Sequence, residues 1–255
     1  MKNKLSISVV ALLCAVLMQS CAYGGSLATA SKESSVGYKH TILQETEDMG
    51  SDYIDSFLFF GESTTYHMKN REVLSGGSDT KQILADKSGT ATLDMSTYKM
   101  IVVEPNSGAL MPLGDAIAAI KPEYIILTFG LNGAVGNVSR GEEYFSTCYK
   151  KLIDTVRRSS PDTKIILQSC FPVAKNMDTS NYTVNVDVLN EYISILNAWT
   201  LSVAREEDLR YLDTQEILTD ENGFLKLEYQ SGDGYHLTKS AYLSIIDYIR
   251  THGYK

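Results

Sequence analysis

The chain has 255 residues, 44% of them apolar and 21% charged, which are the proportions of an ordinary globular protein and not those of a disordered or collagen-like one. Lys plus Arg number 23 against 31 Asp plus Glu, a net charge of −8. An acidic chain with no basic stripe excludes the phosphate backbone of nucleic acid as a natural partner.

The amino terminus reads as an address. A basic MKNK is followed by an apolar run from Leu5 to Met18 and then by Gln19, Ser20 and Cys21, the order of a secretory signal peptide. The run is shorter than the roughly 20 residues that span a bilayer as a helix. The segment LMQSC resembles a bacterial lipobox, although Gln19 replaces the usual small residue. That resemblance implies a signal peptide over 1–20 and a lipidated Cys21 holding an exported protein at the cell surface, with plain secretion as the alternative. Residues 22–52 are polar and small without a sustained period, and are expected to form a tether.

From residue 53 onward a single domain is expected, because no repeat or second change of composition appears. Short apolar runs fit strands buried on both faces: FLFF (57–60), MIVV (100–103), YIILTF (124–129), KIILQ (164–168) and LRYL (209–212). Between them, 141–158 and 186–204 carry apolar faces at helical spacing. A last helix places Tyr242, Ile245, Ile246 and Ile249 on one side behind Thr238 as its N-cap. Strands alternating with helices imply a parallel sheet covered on both faces, with chemistry at the carboxyl ends of the strands. Cys148 and Cys170 are expected as buried thiols, with a disulfide open to them after export, and no residues have zinc-ligand spacing.

Four strand ends carry informative residues. GESTTYH puts Ser63 just past the first run, where it serves either as a nucleophile or as a helix N-cap. EPNSGAL puts Gly108 after the second, FGLNGAVGN puts Asn132 after the third, and DGYH sets Asp233 and His236 three residues apart before the final helix. That last spacing lets the acid fix the imidazole tautomer. His40, His67 and His252 have no comparable partner in the sequence. The glycines after 129 match no nucleotide-binding fingerprint.

As a set in chain order, Ser63, Gly108, Asn132 and Asp233 with His236 resemble the SGNH (GDSL-type) hydrolases over about residues 55–250. The resemblance implies a flavodoxin-like three-layer α/β/α sandwich and a catalytic triad of Ser63, His236 and Asp233. It also implies an oxyanion hole from the N–H groups of Ser63 and Gly108 and the amide of Asn132. Two departures stand out: Glu62 where the family has Asp, and Gly133 where it has Asp after the asparagine. The expected activity is a cofactor-free serine esterase acting on short-acyl, chiefly acetyl, esters of carbohydrate, with Tyr66 and Tyr235 lining the site. The rival readings are a silent polysaccharide-binding member, favoured by Glu62 and Gly133, and a sugar O-acyltransferase.

Overall fold

The computed structural model describes residues 41–255. The expected signal peptide and Cys21 lie outside them. After a short helix α1 (Ser51–Asp55) come strand β1 (Phe57–Gly61), helix α2 (Ser63–Asn70), strand β2 (Ile83–Leu84), and the two strands β3 (Ile101–Val103) and β4 (Leu110–Pro112). Helix α3 (Leu113–Ile120) leads to β5 (Tyr124–Thr128), then to helices α4 (Ala134–Arg140) and α5 (Glu142–Ser159). The chain continues through β6 (Lys164–Gln168), α6 (Val186–Glu206), β7 (Arg210–Leu212), α7 (Gln215–Leu218) and α8 (Lys239–Thr251).

Five strands form one parallel sheet in the order β2-β1-β5-β6-β7. The order reverses at β1, and that switch point is where a parallel sheet opens a crevice at its carboxyl edge. Alternation along each strand divides the core in two. Leu58, Phe60, Ile125, Leu127, Ile165 and Leu167 face α3, α5 and α6. Phe57, Phe59, Tyr124, Ile126 and Ile166 face α1 and α8. Each large side chain buried this way contributes about 1.5–3 kcal/mol. The result is the three-layer α/β/α sandwich with a central parallel sheet.

The structure corrects the sequence reading in two places. The run at 100–103 is not a sheet strand. Its β3 pairs antiparallel with β4 in a separate hairpin, where Val102 is buried while Ile101 is 50% exposed. The second sheet strand is instead β2, only two residues long and preceded by Lys81 and Gln82, which hid it from a search for apolar runs. Gln82 is nevertheless held inside, donating to the carbonyls of Ile54 (2.6 Å) and Phe57 (3.2 Å).

Residues 41–52, expected in the tether, pack against the domain instead. Ile42 bridges to Tyr211 beside β7, Leu43 is buried, and the N–H groups of Thr46 and Met49 donate to the carbonyls of Thr251 and Arg250. Asp48 pairs with Arg250. Residues 41–52 are therefore part of the domain. Both described cysteines, Cys148 and Cys170, are free and buried.

Candidate active site

Strand β1 delivers Ser63 to the carboxyl edge of the sheet. Gly61 ends it with no room for a side chain, since a Cβ there would lie 2.5 Å from the Thr128 carbonyl of β5. Glu62 then occupies the N-cap position of α2 without a side-chain capping bond, and Ser63 is the first helical residue. Ser63 is thus not the cap. Its Oγ lies 3.1 Å from His236 Nε2. The Ser63 N–H, in the first turn of α2, has no intrahelical acceptor.

The partners of Ser63 come from the loop before α8. Asp233 accepts the backbone N–H groups of Tyr235 (3.1 Å) and His236 (2.9 Å) on Oδ1, and its Oδ2 meets His236 Nδ1 at 2.7 Å. Burial pushes the Asp233 carboxyl up, but these hydrogen bonds and the imidazole outweigh it and hold the group below its ordinary range. The carboxylate therefore fixes Nδ1 as the protonated nitrogen and leaves Nε2 to accept from Ser63. Thr238 caps α8 by accepting from Ala241 N–H (3.4 Å), and the fully buried Tyr242 donates to the Thr64 carbonyl at 2.6 Å. That bond ties the helix behind His236 to the helix that carries Ser63.

Glu62 is 2% exposed and works as a latch. Its carboxyl oxygens accept the N–H groups of Gly130 (2.9 Å), Leu131 (3.1 Å) and Asn132 (3.0 Å), fixing the loop after β5. Burial pushes its pKa up to about 8, against the pull of the three donors. Asn132 in turn directs its amide toward the loop after β2, donating to Thr90 Oγ1 (3.1 Å) and the Ala91 carbonyl (2.9 Å). Both of its N–H groups are engaged in this arrangement.

Gly108 departs from expectation. It sits in the turn between β3 and β4, off the main sheet, and its N–H donates to the Glu104 carbonyl at 2.8 Å. It therefore presents no free donor to Ser63. Gly89, in the loop after β2, packs instead against Tyr66, and its own N–H donates to the Asp86 carbonyl at 3.2 Å. Its φ of +72° suits glycine, and a Cβ there would press into the Tyr66 ring at 2.6 Å. Its neighbour Thr90 holds Asn132. The sequence signal for Gly89 was the turn-like DKSGT, passed over because the strand before it was not recognised.

His67 was also missed. One turn after Ser63 on α2, its ring stacks on His236 with centroids 4.0 Å apart and planes 19° apart, and its buried Nδ1 has no hydrogen-bond partner. Burial, followed by the nearby His236, holds its pKa below the ordinary range. The only sequence signal was the spacing of four from Ser63, which puts both on one helix face. Tyr235 packs against His236 at 4.2 Å, and Tyr66 borders a pocket beside α2. Among the described residues no group of three His, Cys, Asp or Glu converges as a metal site.

The sequence profile of the GDSL-like Lipase/Acylhydrolase family matches residues 59–243, from the strand before Ser63 to the helix after His236. The chain belongs to this family. As a GDSL-like acylhydrolase it is placed among enzymes that cleave ester bonds. Its fold is shared with a G-D-S-L family protein from Desulfitobacterium hafniense DCB-2, at 17% identity and a TM-score of 0.51 over 76% of this chain and 97% of that one. A Streptococcus pneumoniae protein named for platelet activating factor is 19% identical, with a TM-score of 0.48 over 88% of this chain and 97% of its own. An acetylxylan esterase from Geobacillus stearothermophilus is 14% identical, with a TM-score of 0.41 over 55% and 64% of the two chains. A comparison with curated proteins gives no match.

Proposed function

We propose that this GDSL-like hydrolase is a serine esterase that removes short acyl groups, chiefly acetyl, from carbohydrate. The observation that carries the reading is the continuous chain from Ser63 Oγ to His236 Nε2 (3.1 Å) and from His236 Nδ1 to Asp233 (2.7 Å). His236 takes the Ser63 proton as the hydroxyl attacks the ester carbonyl, and Asp233 stabilises the imidazolium that forms. The oxyanion develops next to the Ser63 N–H at the start of α2. Asn132 reaches it by exchanging its bond to Thr90 for one to the substrate. His236 then protonates the departing alcohol, and water cleaves the acyl-enzyme by the reverse route.

Two rings near the triad support sugar over lipid. Tyr66 and Tyr235 are half-buried beside Ser63 and His236. Such rings offer a flat apolar face with a polar tip, as a sugar requires. The order of residues 1–21 supports export and lipidation at Cys21, and Cys21→Ser protein should leave the membrane fraction or stay unprocessed.

The test is a fluorophosphonate probe together with a series of acyl esters. Ser63→Ala should be unlabelled and lose on the order of 10⁴-fold or more in turnover while keeping its fold. Labelling of Ser63→Ala, or kcat/KM rising steadily from acetyl to dodecanoyl esters, would refute respectively the nucleophile and the acyl preference.

A further inference from the structure

Beside α2 lies an open cavity of about 450 Å³ between the loop after β2 and the β3–β4 turn. Tyr66, in its lining, is three residues from Ser63 on the same helix face. Three lysines, Lys69, Lys81 and Lys87, are also in the lining. In a chain with a net charge of −8 this is an unusual concentration of ammonium groups.

None of the three is neutralised among the described residues. No ion pair or side-chain hydrogen bond engages Lys69, Lys81 or Lys87, although seven ion pairs form elsewhere. The two acids that share the cavity are turned to their own loops. Asp86 accepts Ser88 N–H (2.8 Å), Ser88 Oγ–H (2.7 Å) and Thr90 N–H (3.1 Å). Glu104 is 4% exposed and accepts the N–H groups of Asn106 and Ser107 together with the Asn106 amide and the Ser107 hydroxyl. These donors hold both acids ionised without cancelling their charge, so the three ammoniums outnumber the two carboxylates and are the cationic groups with open donors in the lining. Asp86 and Glu104 shape the two walls, and the lysines set their chemistry.

We infer that this cavity is a subsite for an anionic group, a carboxylate or phosphate, on the saccharide whose ester lies at Ser63. The inference rests on the esterase reading for the ester itself, but not for the anion. With Tyr66 in the lining and on the helix face of Ser63, one sugar ring stacks at Tyr66, its ester toward Ser63 and its charged substituent or neighbouring residue toward the lysines. An ammonium is a point charge without the planar fork of a guanidinium, so carboxylate and phosphate are both accepted. Exposed charges act mainly on encounter and ground-state affinity, so the selectivity appears in KM and weakens with salt.

Two measurements test this. Ser63→Ala protein is titrated calorimetrically with methyl glucuronide, glucose 1-phosphate and neutral methyl glucoside, with and without Lys69→Gln, Lys81→Gln and Lys87→Gln together. Wild type and the triple lysine variant are then assayed on the acetylated glucuronide and glucoside at low and high salt. Both anionic ligands should bind about tenfold or more tightly than the glucoside, and the difference should vanish in the lysine variant. A phosphate that binds better than the uronate identifies the anion as phosphoryl. Wild type should prefer the acetylated glucuronide through KM, with the preference lost in the lysine variant and at high salt. Equal binding of charged and neutral ligands, or selectivity that survives the lysine substitutions, overturns the subsite. Absence of hydrolysis of either ester with anion binding intact overturns the esterase reading alone.

Discussion

Replacing Glu62 by Gln removes a titrating group at the centre of the site without changing its volume. In the fold this carboxyl titrates near 8 because burial penalises its charge, whereas the unfolded chain titrates at 4.5. The native state therefore keeps a proton that the unfolded chain releases between those values. The stability conferred by the neutral group is complete below 4.5 and declines as pH rises toward 8. At 1.36 kcal/mol per unit, the whole span amounts to about 5 kcal/mol, with a slope of at most ~1.4 kcal/mol per pH unit. Glu62→Gln has no such slope. Its carbonyl still accepts from two of the three N–H groups at Gly130, Leu131 and Asn132, but its NH₂ confronts the third, at a cost of about 1–3 kcal/mol. Around it, Cys170 is a buried thiol whose pKa is raised by burial and then by Glu62, so it stays neutral through this range. Urea denaturation of both proteins from pH 5 to 9 should show the variant the less stable at pH 5, the two curves crossing as the wild type loses about 4 kcal/mol toward pH 8, and the variant the more stable beyond the crossing. Parallel curves, or a variant that falls further below the wild type as pH rises, would refute the argument that Glu62 is neutral in the fold.

Other consequences follow from the neighbouring residues. Asn132→Ala should lower kcat by roughly 10²-fold with KM nearly unchanged, as steady-state kinetics on an acetyl ester would show; a pure KM effect would make its bond to Thr90 the whole of its role. His67→Phe keeps a ring against His236 and should hold kcat within about threefold at pH 8, whereas His67→Ala should lose about tenfold by freeing the imidazole. Because His67 is neutral above its depressed pKa, its protonation in acid places a cation against His236 and suppresses activity. The acid limb of kcat/KM should therefore extend to lower pH in His67→Phe, and an unchanged limb would remove His67 from the pH response.

How much of this was legible in the sequence depended on how local each signal is. Long apolar runs buried on both faces announced β1, β5 and β6, because a strand inside a parallel sheet has no polar side to interrupt it. The amphipathic faces of α5, α6 and α8, with Thr238 as cap, were equally plain from residues within a few turns of one another. The meeting of Asp233 with His236 is a contact of three residues and could be read from spacing, and the order of the four blocks carried the family.

What the sequence left open was decided by contacts between distant segments. The strand β2 has only two apolar residues, both buried, and is placed by pairing with β1 and by Gln82, so the loop that it positions, with Gly89 and Thr90, went unseen. Residues 41–52 looked like tether because they are polar, yet Leu43, Ile42 and Asp48 find partners near the carboxyl terminus about 170–200 residues away. The stacking of His67 on His236 and the latch of Glu62 on Gly130–Asn132 join segments about 170 and 70 residues apart. No periodicity encodes such a meeting. Residue types and local spacing determined the layers and singled out Ser63, and only the packed sheet, by bringing the ends of β1, β2 and β5 to one edge, decided which side chains surround it.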